Sequence, residues 1–382
     1  MVKKIIPTTM PVLGNFLTIY LLFPLILSWY GESQFTHAMF IYTFFSAAGA
    51  LTLGIPIYLT RKTVLQEKKK GEEWRYFYLA AIALLLYSII LLWNFEQYYY
   101  LILFIPVLSY VSARRGIEEG ERNFFKSAIL RLLFFVITPV ALIFSTFENP
   151  YLGLIVALVT VLFFVVFFHK NTADVLLECF KDSLLKFRAI KPYAMQSLYV
   201  FLFIFLDRSL LWLINPSIEF SIFSYEYEFI YRAIMPFTII LIVLFPYMFK
   251  ANTKKNINRK IYILLIAILI FYSVLMQNIE TVYEFITLEI TSGIYESNNF
   301  LVSTLITALC LGAFLQRKAM TIKDEERIFR IFLILSIAVS ISGICATFLF
   351  DSAIAVLSVK ITVEILIFWY FFRFNNVSVA NE

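Results

Sequence analysis

Residues 201–214 read FLFIFLDRSLLWLI. Everything in the stretch is apolar or the small Ser209, except Asp207 and Arg208 near its middle. A helix needs about 20 residues to cross the hydrocarbon layer of a bilayer. Extended back to residue 194, this run is such a segment, with an acid and a base inside it.

The composition decides the solvent. Apolar residues make up 61% of the 382-residue chain, aromatics 18% and charged residues only 15%. Soluble domains stand nearer half apolar and a quarter charged, so this chain is built for lipid. Apolar runs of spanning size occur at 7–30, 37–60, 76–94, 97–112, 127–146, 151–168, 194–214, 219–249, 260–277, 297–316, 329–350 and 352–374. The first follows Lys3 and Lys4 as a signal peptide would. It is too long for one and lacks a small-residue cleavage site, so it is taken as the first span. The eighth is too long for an upright helix and is expected to tilt or to bend at Pro236.

Charge tests the count. With the N-terminus on the cytoplasmic side, and each inner segment extended a residue or two into its neighbouring helix end, the inner segments hold 28 of the 32 Lys and Arg, and the outer segments hold none. Such a division is the positive-inside rule, and a missed or extra span would have put a basic loop outside. The net charge of +6 therefore belongs to cytoplasmic rims that face anionic headgroups, not to a nucleic-acid surface. The expectation is an all-α polytopic membrane protein with both termini cytoplasmic.

The longest inner segment, 169–193, lies at the centre of the chain. Val175, Leu176, Phe180, Leu184 and Phe187 fall at helical spacing opposite Lys181, Lys186 and Arg188, and Pro192 is expected to end the helix. It reads as an amphipathic cytoplasmic connector between an N-terminal lobe, 1–168, and a C-terminal lobe, 194–382. Each lobe holds six helices. Six is even, so the two halves begin on the same side and any repeat is parallel, about a pseudo-twofold axis along the membrane normal. EEGERNFF (118–125) before span five and KDEERIFR (323–330) before span eleven stand at equivalent places.

Four basic residues lie within spans, beyond these helix ends: Arg131, Arg208, Arg232 and Lys360. A charge at the bilayer centre costs on the order of 2.5–3.5 kcal/mol on insertion scales, so each deep one must face protein or water. Arg131 lies about one turn from an inner end, where it can also snorkel to the headgroups. Tyr225, Glu228 and Arg232 share a face of span eight with Glu226 beside it, and Lys360 and Glu364 are four apart in span twelve. One reading neutralises these charges as structural pairs: Glu228 with Arg232, Lys360 with Glu364, Asp207 with Arg208. The other makes Arg208, Arg232, Lys360 and Arg131 the lining of a hydrated substrate path, with Asp207, Glu226, Glu228 and Glu364 as ion-coupling or charge-pairing partners. Cys179, Cys310 and Cys345 lie far apart, and no disulfide framework, CxxC or zinc pattern and no phosphate-binding loop is present in the sequence, so catalytic residues, metals and cofactors are not expected. His37 reads as an interfacial polar residue, not as a ligand.

These patterns resemble the multidrug/oligosaccharidyl-lipid/polysaccharide (MOP) flippase superfamily, in particular its polysaccharide or O-antigen flippases. The resemblance runs from LLFPLILSWYGESQFTHAMFIYTFFSAAGALTLGIPIYLTRK (21–62), through GERNFFKSAILRLLFFVI (120–137), to GIYESNNFLVSTLITALCLG (293–312). It is clearest at LDRSLLWLINPSIEFSIFSYEYEFIYRAIMPFTIILIVLFPYMFK (206–250). It implies twelve helices in two lobes and export of an undecaprenyl-diphosphate-linked oligosaccharide across the bacterial cytoplasmic (inner) membrane by alternating access, for surface polysaccharide such as lipopolysaccharide O-antigen. By motif match it carries Asp207 and Arg208 into the cavity. H+ or Na+ coupling is compatible with the intramembrane acids. Expected partners are the lipid-linked oligosaccharide, membrane lipids, a polysaccharide polymerase and a chain-length regulator. The rivals are a cation-coupled drug antiporter of the same superfamily and a membrane glycan polymerase or acyltransferase. The enzyme rival suffers from outer loops that contain no Lys or Arg.

Overall fold

The structure, a computed structural model, describes residues 2–65, 72–92, 96–168, 187–214, 218–248, 251–277, 299–322, 324–350 and 352–374. Among the described residues the regular structure is helical, with no strand. The first half holds α1 Val2–Leu17, α2 Phe23–Tyr30, α3 Glu32–Ala50, α4 Ile55–Val64, α5 Glu72–Leu92, α6 Ile105–Gly120, α7 Phe124–Leu132, α8 Thr138–Glu148 and α9 Pro150–Phe168. The second half holds α10 Phe187–Ile214, α11 Ile218–Ala233, α12 Met235–Met248, α13 Ala251–Gln277, α14 Asn299–Ala319, α15 Glu325–Leu349 and α16 Ala353–Phe374. Several of these join end to end, so the expected twelve spans appear as α1–α2, α3–α4, α5, 96–104 with α6, α7–α8, α9, α10, α11–α12, α13, α14, α15 and α16. Eight of the described helical runs are long and apolar enough to cross a membrane, and shorter apolar runs cover 79–89, 151–162 and 260–275. The chain is a multi-pass membrane protein.

Proline sets several of the interruptions. Pro24 and Pro139 have no N–H for the carbonyl four residues back, and their rings crowd it. Each is preceded by one π-helical turn, Thr18–Leu22 and Leu133–Ile137, which carries the ladder past the gap. The Phe23 N–H reaches back to the Thr18 carbonyl. At the second site the Thr138 N–H and its hydroxyl both donate to the Leu133 carbonyl, the hydroxyl at 2.8 Å. The eighth span bends as its length required. A turn at Ile234 separates α11 from α12, Pro236 sits in the first turn of α12, and the Tyr272 hydroxyl of α13 donates to the Ala233 carbonyl (2.5 Å) at the break.

Three sequence expectations need correction. Span two is not one helix over 37–60. It is α3 and α4 joined through 51–54, where Leu53 (φ 51°) and Gly54 (φ 64°) are left-handed and Pro56 restarts the helix. Span four does not end at 112, because α6 continues to Gly120 and is preceded by a 3-10 helix, Glu96–Phe104. Pro192 does not end a helix. It lies inside α10, near enough to its start that the missing N–H deprives only a first-turn carbonyl. The amphipathic reading of 169–186, His169 and the outer loop 278–296 lie outside the described residues.

The described chain divides into two compact units, 1–14 with 36–201, and 15–35 with 202–382. Within the first, Gly116 and Gly120 let α6 pack directly on α4. A Cβ on Gly116 would lie 2.4 Å from the Pro56 carbonyl oxygen, and the Thr60 hydroxyl donates to the Gly116 carbonyl at 2.9 Å. Within the second, Tyr20 stacks on Phe16, lies tilted against Phe229 and donates its hydroxyl to the Phe229 carbonyl (2.6 Å).

Candidate functional site

The second unit gathers charges on three helices. α10 brings Asp207 and Arg208, α11 brings Glu228 and Arg232, and α16 brings Lys360 and Glu364. Asp207, Arg208, Glu228, Lys360 and Glu364 are fully or almost fully buried, whereas the Arg232 side chain is 13% exposed.

Arg208 is held on four sides. Its Nη1 donates to Glu228 Oε1 (2.7 Å) and its Nε to the Ile204 carbonyl (2.8 Å). Its guanidinium carbon lies 4.6 Å from the Phe205 ring centroid and 4.7 Å from that of Tyr227, the geometry of cation–π contact. Glu228 takes a second guanidinium, with Arg232 Nε donating to Oε2 at 2.5 Å. One carboxylate thus serves two arginines, and the arginine that reaches a surface is Arg232.

Lys360 crosses from α16 to α10. Its Nζ donates to Asp207 Oδ1 (2.5 Å) and to the Phe203 carbonyl (2.6 Å), and it lies 3.4 Å from the Tyr227 hydroxyl. The Tyr227 hydroxyl itself donates to the Phe203 carbonyl at 2.5 Å. Glu364, one turn along α16, accepts from Gln316 Nε2 of α14 (2.9 Å). Asp207 Oδ2 and Arg208 Nη2 are buried and take no hydrogen-bond partner.

Two glycines make room for these ions. A Cβ on Gly343 of α15 would fall 2.5 Å from Lys360 Cε, and one on Gly312 of α14 would fall 2.6 Å from Glu364 Oε2.

Of the structural pairs expected from sequence, only Glu228 with Arg232 forms. Asp207 pairs with Lys360, not with Arg208, because consecutive helical residues point about 100° apart and cannot face each other. Lys360 turns away from Glu364, one turn along its own helix, to reach Asp207. In this conformation Arg208 and Lys360 are enclosed. Glu226 is half-buried on α11, away from the face that carries Glu228, and no described residue forms an ion pair or hydrogen bond with it.

Arg131 lies in the other unit and joins none of this. Its Nη2 donates to Glu119 of α6, which also accepts from the Ser127 hydroxyl (2.9 Å) and lies 3.6 Å from Arg115 Nε. Beside it Glu118 accepts from Arg114 Nε (2.9 Å) and Asn123 Nδ2 (3.1 Å). His37 is fully committed within the same unit. The Thr146 hydroxyl gives its proton to the Leu142 carbonyl (2.8 Å), so His37 Nε2–H donates to Thr146 Oγ1 (2.7 Å) and Nδ1 accepts from the Tyr98 hydroxyl (2.8 Å). Among the described residues no cluster of His, Cys, Asp and Glu could hold a metal ion.

Tyr227, Gln316, Gly312 and Gly343 did not emerge from the sequence. The glycines had a signal, since the chain has only 11 and these two interrupt otherwise apolar spans. Tyr227 and Gln316 had none, because polar groups that cap a partner on another helix leave no mark on their own helical period.

No protein-family model matches the chain, and no curated protein matches it. Solved structures do. A multidrug-resistance MATE family transporter of the MOP superfamily, in an outward-facing conformation, is 12% identical, with 99% of this chain and 96% of that one covered at a TM-score of 0.61. A MATE protein in complex with MaL6 is 14% identical, covering 97% and 94% at 0.61. A MOP superfamily transporter from Pyrococcus furiosus, in which a reversed polarity of the binding pocket suggests a different function, is 14% identical, covering 96% and 94% at 0.57. The chain has the fold of MATE-like transporters, twelve helices in two lobes.

Proposed function

We propose that this chain is a transporter and not an enzyme, and that it exports a lipid-linked oligosaccharide, an undecaprenyl-diphosphate conjugate, across the bacterial cytoplasmic membrane by alternating access. The observation that carries this reading is the Arg208–Glu228–Arg232 array, with two guanidiniums on one carboxylate and Arg232 the member that reaches a surface. A guanidinium suits a diphosphate, which accepts bidentate, charge-assisted bonds. Arg232 is then the contact residue. Arg208 acts from behind it by sharing Glu228, and Lys360 acts by holding Asp207. The Pyrococcus furiosus transporter supports the choice, because its reversed pocket polarity is offered as a sign of a different function within this fold.

A second reading, a cation-coupled drug antiporter, is favoured by Glu226, a half-buried membrane carboxylate without a basic partner among the described residues. Expression in a strain that lacks its own O-antigen flippase separates the two. The first reading expects surface polysaccharide to return, and to be lost in Arg232→Gln at equal membrane abundance. No return, with Glu226-dependent protection against cationic drugs, would replace it with the second.

A further inference from the structure

We propose that the Lys360 ammonium is a built-in cation: it fills from within the chain a site that a small monovalent cation would otherwise occupy. The donors around Nζ are those such an ion seeks. They are a carboxylate oxygen at 2.5 Å, a main-chain carbonyl at 2.6 Å, a tyrosine hydroxyl at 3.4 Å, and the faces of Phe203 and Tyr227 at 5.5 and 5.4 Å. Oxygen donors and aromatic faces together bind ammonium ions, and they do so more strongly away from water. The site is enclosed, with Lys360, Asp207, Phe203 and Tyr227 all buried. It also retains an unfilled acceptor, Asp207 Oδ2.

The lysine is led there. Its stem passes Gly343, where an added Cβ would stand 2.5 Å from Cε and 3.5 Å from Nζ. The site lies on α10, and the ammonium comes from α16. A tethered ion has an effective concentration in the millimolar range or above, and it cannot diffuse away. Asp207 therefore stays neutralised whatever the sodium or potassium outside, and a bare carboxylate in the membrane interior is avoided. Ion coupling, where it occurs, does not run through Asp207 while α16 is seated.

The test uses purified full-length protein in detergent and reads thermal stability with ethylammonium, sodium or bulky choline chloride at constant ionic strength. Wild type should show no difference among the three. Lys360→Ala should start lower and climb with ethylammonium concentration to a plateau, as mass action requires of a ligand that binds the folded state. Lys360→Ala with Asp207→Asn should not respond. A folded Lys360→Ala that ignores ethylammonium, or a wild type that gains stability from sodium over choline, overturns the proposal. Should Lys360→Ala yield no folded protein alone, extraction in ethylammonium chloride should recover it, and failure to recover it counts against the proposal equally. None of these readouts involves transport, so they stand apart from the substrate assignment.

Discussion

Gly343 of α15 and Lys360 of α16 share one space, and a single added Cβ on the glycine would stand 2.5 Å from the lysine Cε. A lysine tip usually swings aside. This one is fixed at its end by Asp207, the Phe203 carbonyl and the Tyr227 hydroxyl. Gly343→Ala should therefore destabilise the protein by about 1–3 kcal/mol, as overpacking of a filled core does. With Lys360→Met as the second substitution the losses should be strongly non-additive, because the steric conflict and the broken ion pair are one event. Thermal denaturation of the four proteins of the cycle measures this, and additive losses would show that Gly343 and Lys360 do not compete.

Glu228 carries two cations, so its neutralisation should cost more than the loss of either arginine's charge. Glu228→Gln leaves Arg208 buried without an anion, and breaking one side of a buried ion pair costs about 3–5 kcal/mol. Arg232→Gln removes the less buried member and leaves Glu228 bonded to Arg208, so it should cost clearly less than Glu228→Gln. Chemical denaturation of the single variants gives the order. An Arg232→Gln protein as unstable as Glu228→Gln would mean that Arg232 is buried in the membrane-embedded protein.

The spans were legible because each is a long apolar run. The π turns were not, although Pro24 and Pro139 announced some interruption, because a proline states where a bond is missing and not how the helix absorbs it. The charged residues of the site were all visible as anomalies, but their partners were not. Helical period relates residues three or four apart, and it suggested Lys360 with Glu364. The partner Lys360 takes lies 153 residues away, on α10. Arg208 likewise reaches 20 residues along the chain to Glu228 on the next helix. Such pairings belong to the packing of helices, and one sequence holds no record of it.

His37 joins three helical segments by a directed chain of hydrogen bonds, Tyr98 to Nδ1, Nε2 to Thr146, Thr146 to the Leu142 carbonyl. Tyr98→Phe strips the donor from Nδ1 and leaves a buried acceptor bare, at about 1–3 kcal/mol. Tyr99, the next residue, is exposed, and Tyr99→Phe should be silent. Melting curves of the two variants check the contrast, and nitrogen NMR of labelled histidine should find the proton on Nε2.

Gly54 and Gly31 both hold a positive φ, 64° and 83°, yet they should answer differently to alanine. At Gly31 nothing lies within 4 Å of the added Cβ, so only the backbone resists, which at φ 83° and ψ −179° stands in a region nearly confined to glycine, at about 1–3 kcal/mol. At Gly54 the same Cβ would stand 2.1 Å from the Tyr193 carbonyl oxygen and 2.8 Å from its Cβ. Those atoms belong to the backbone and root of α10, which cannot rotate away, so α10 itself must shift from the α3–α4 junction. The Ser197 hydroxyl donates to the Ala50 carbonyl at that junction, and Arg61 of α4 donates to the Tyr193 hydroxyl, so both bonds are strained by the same shift. Gly54→Ala should accordingly lose clearly more stability than Gly31→Ala in paired thermal melts. Equal losses would mean that α10 does not press on Gly54, and that the left-handed turn alone accounts for the glycine.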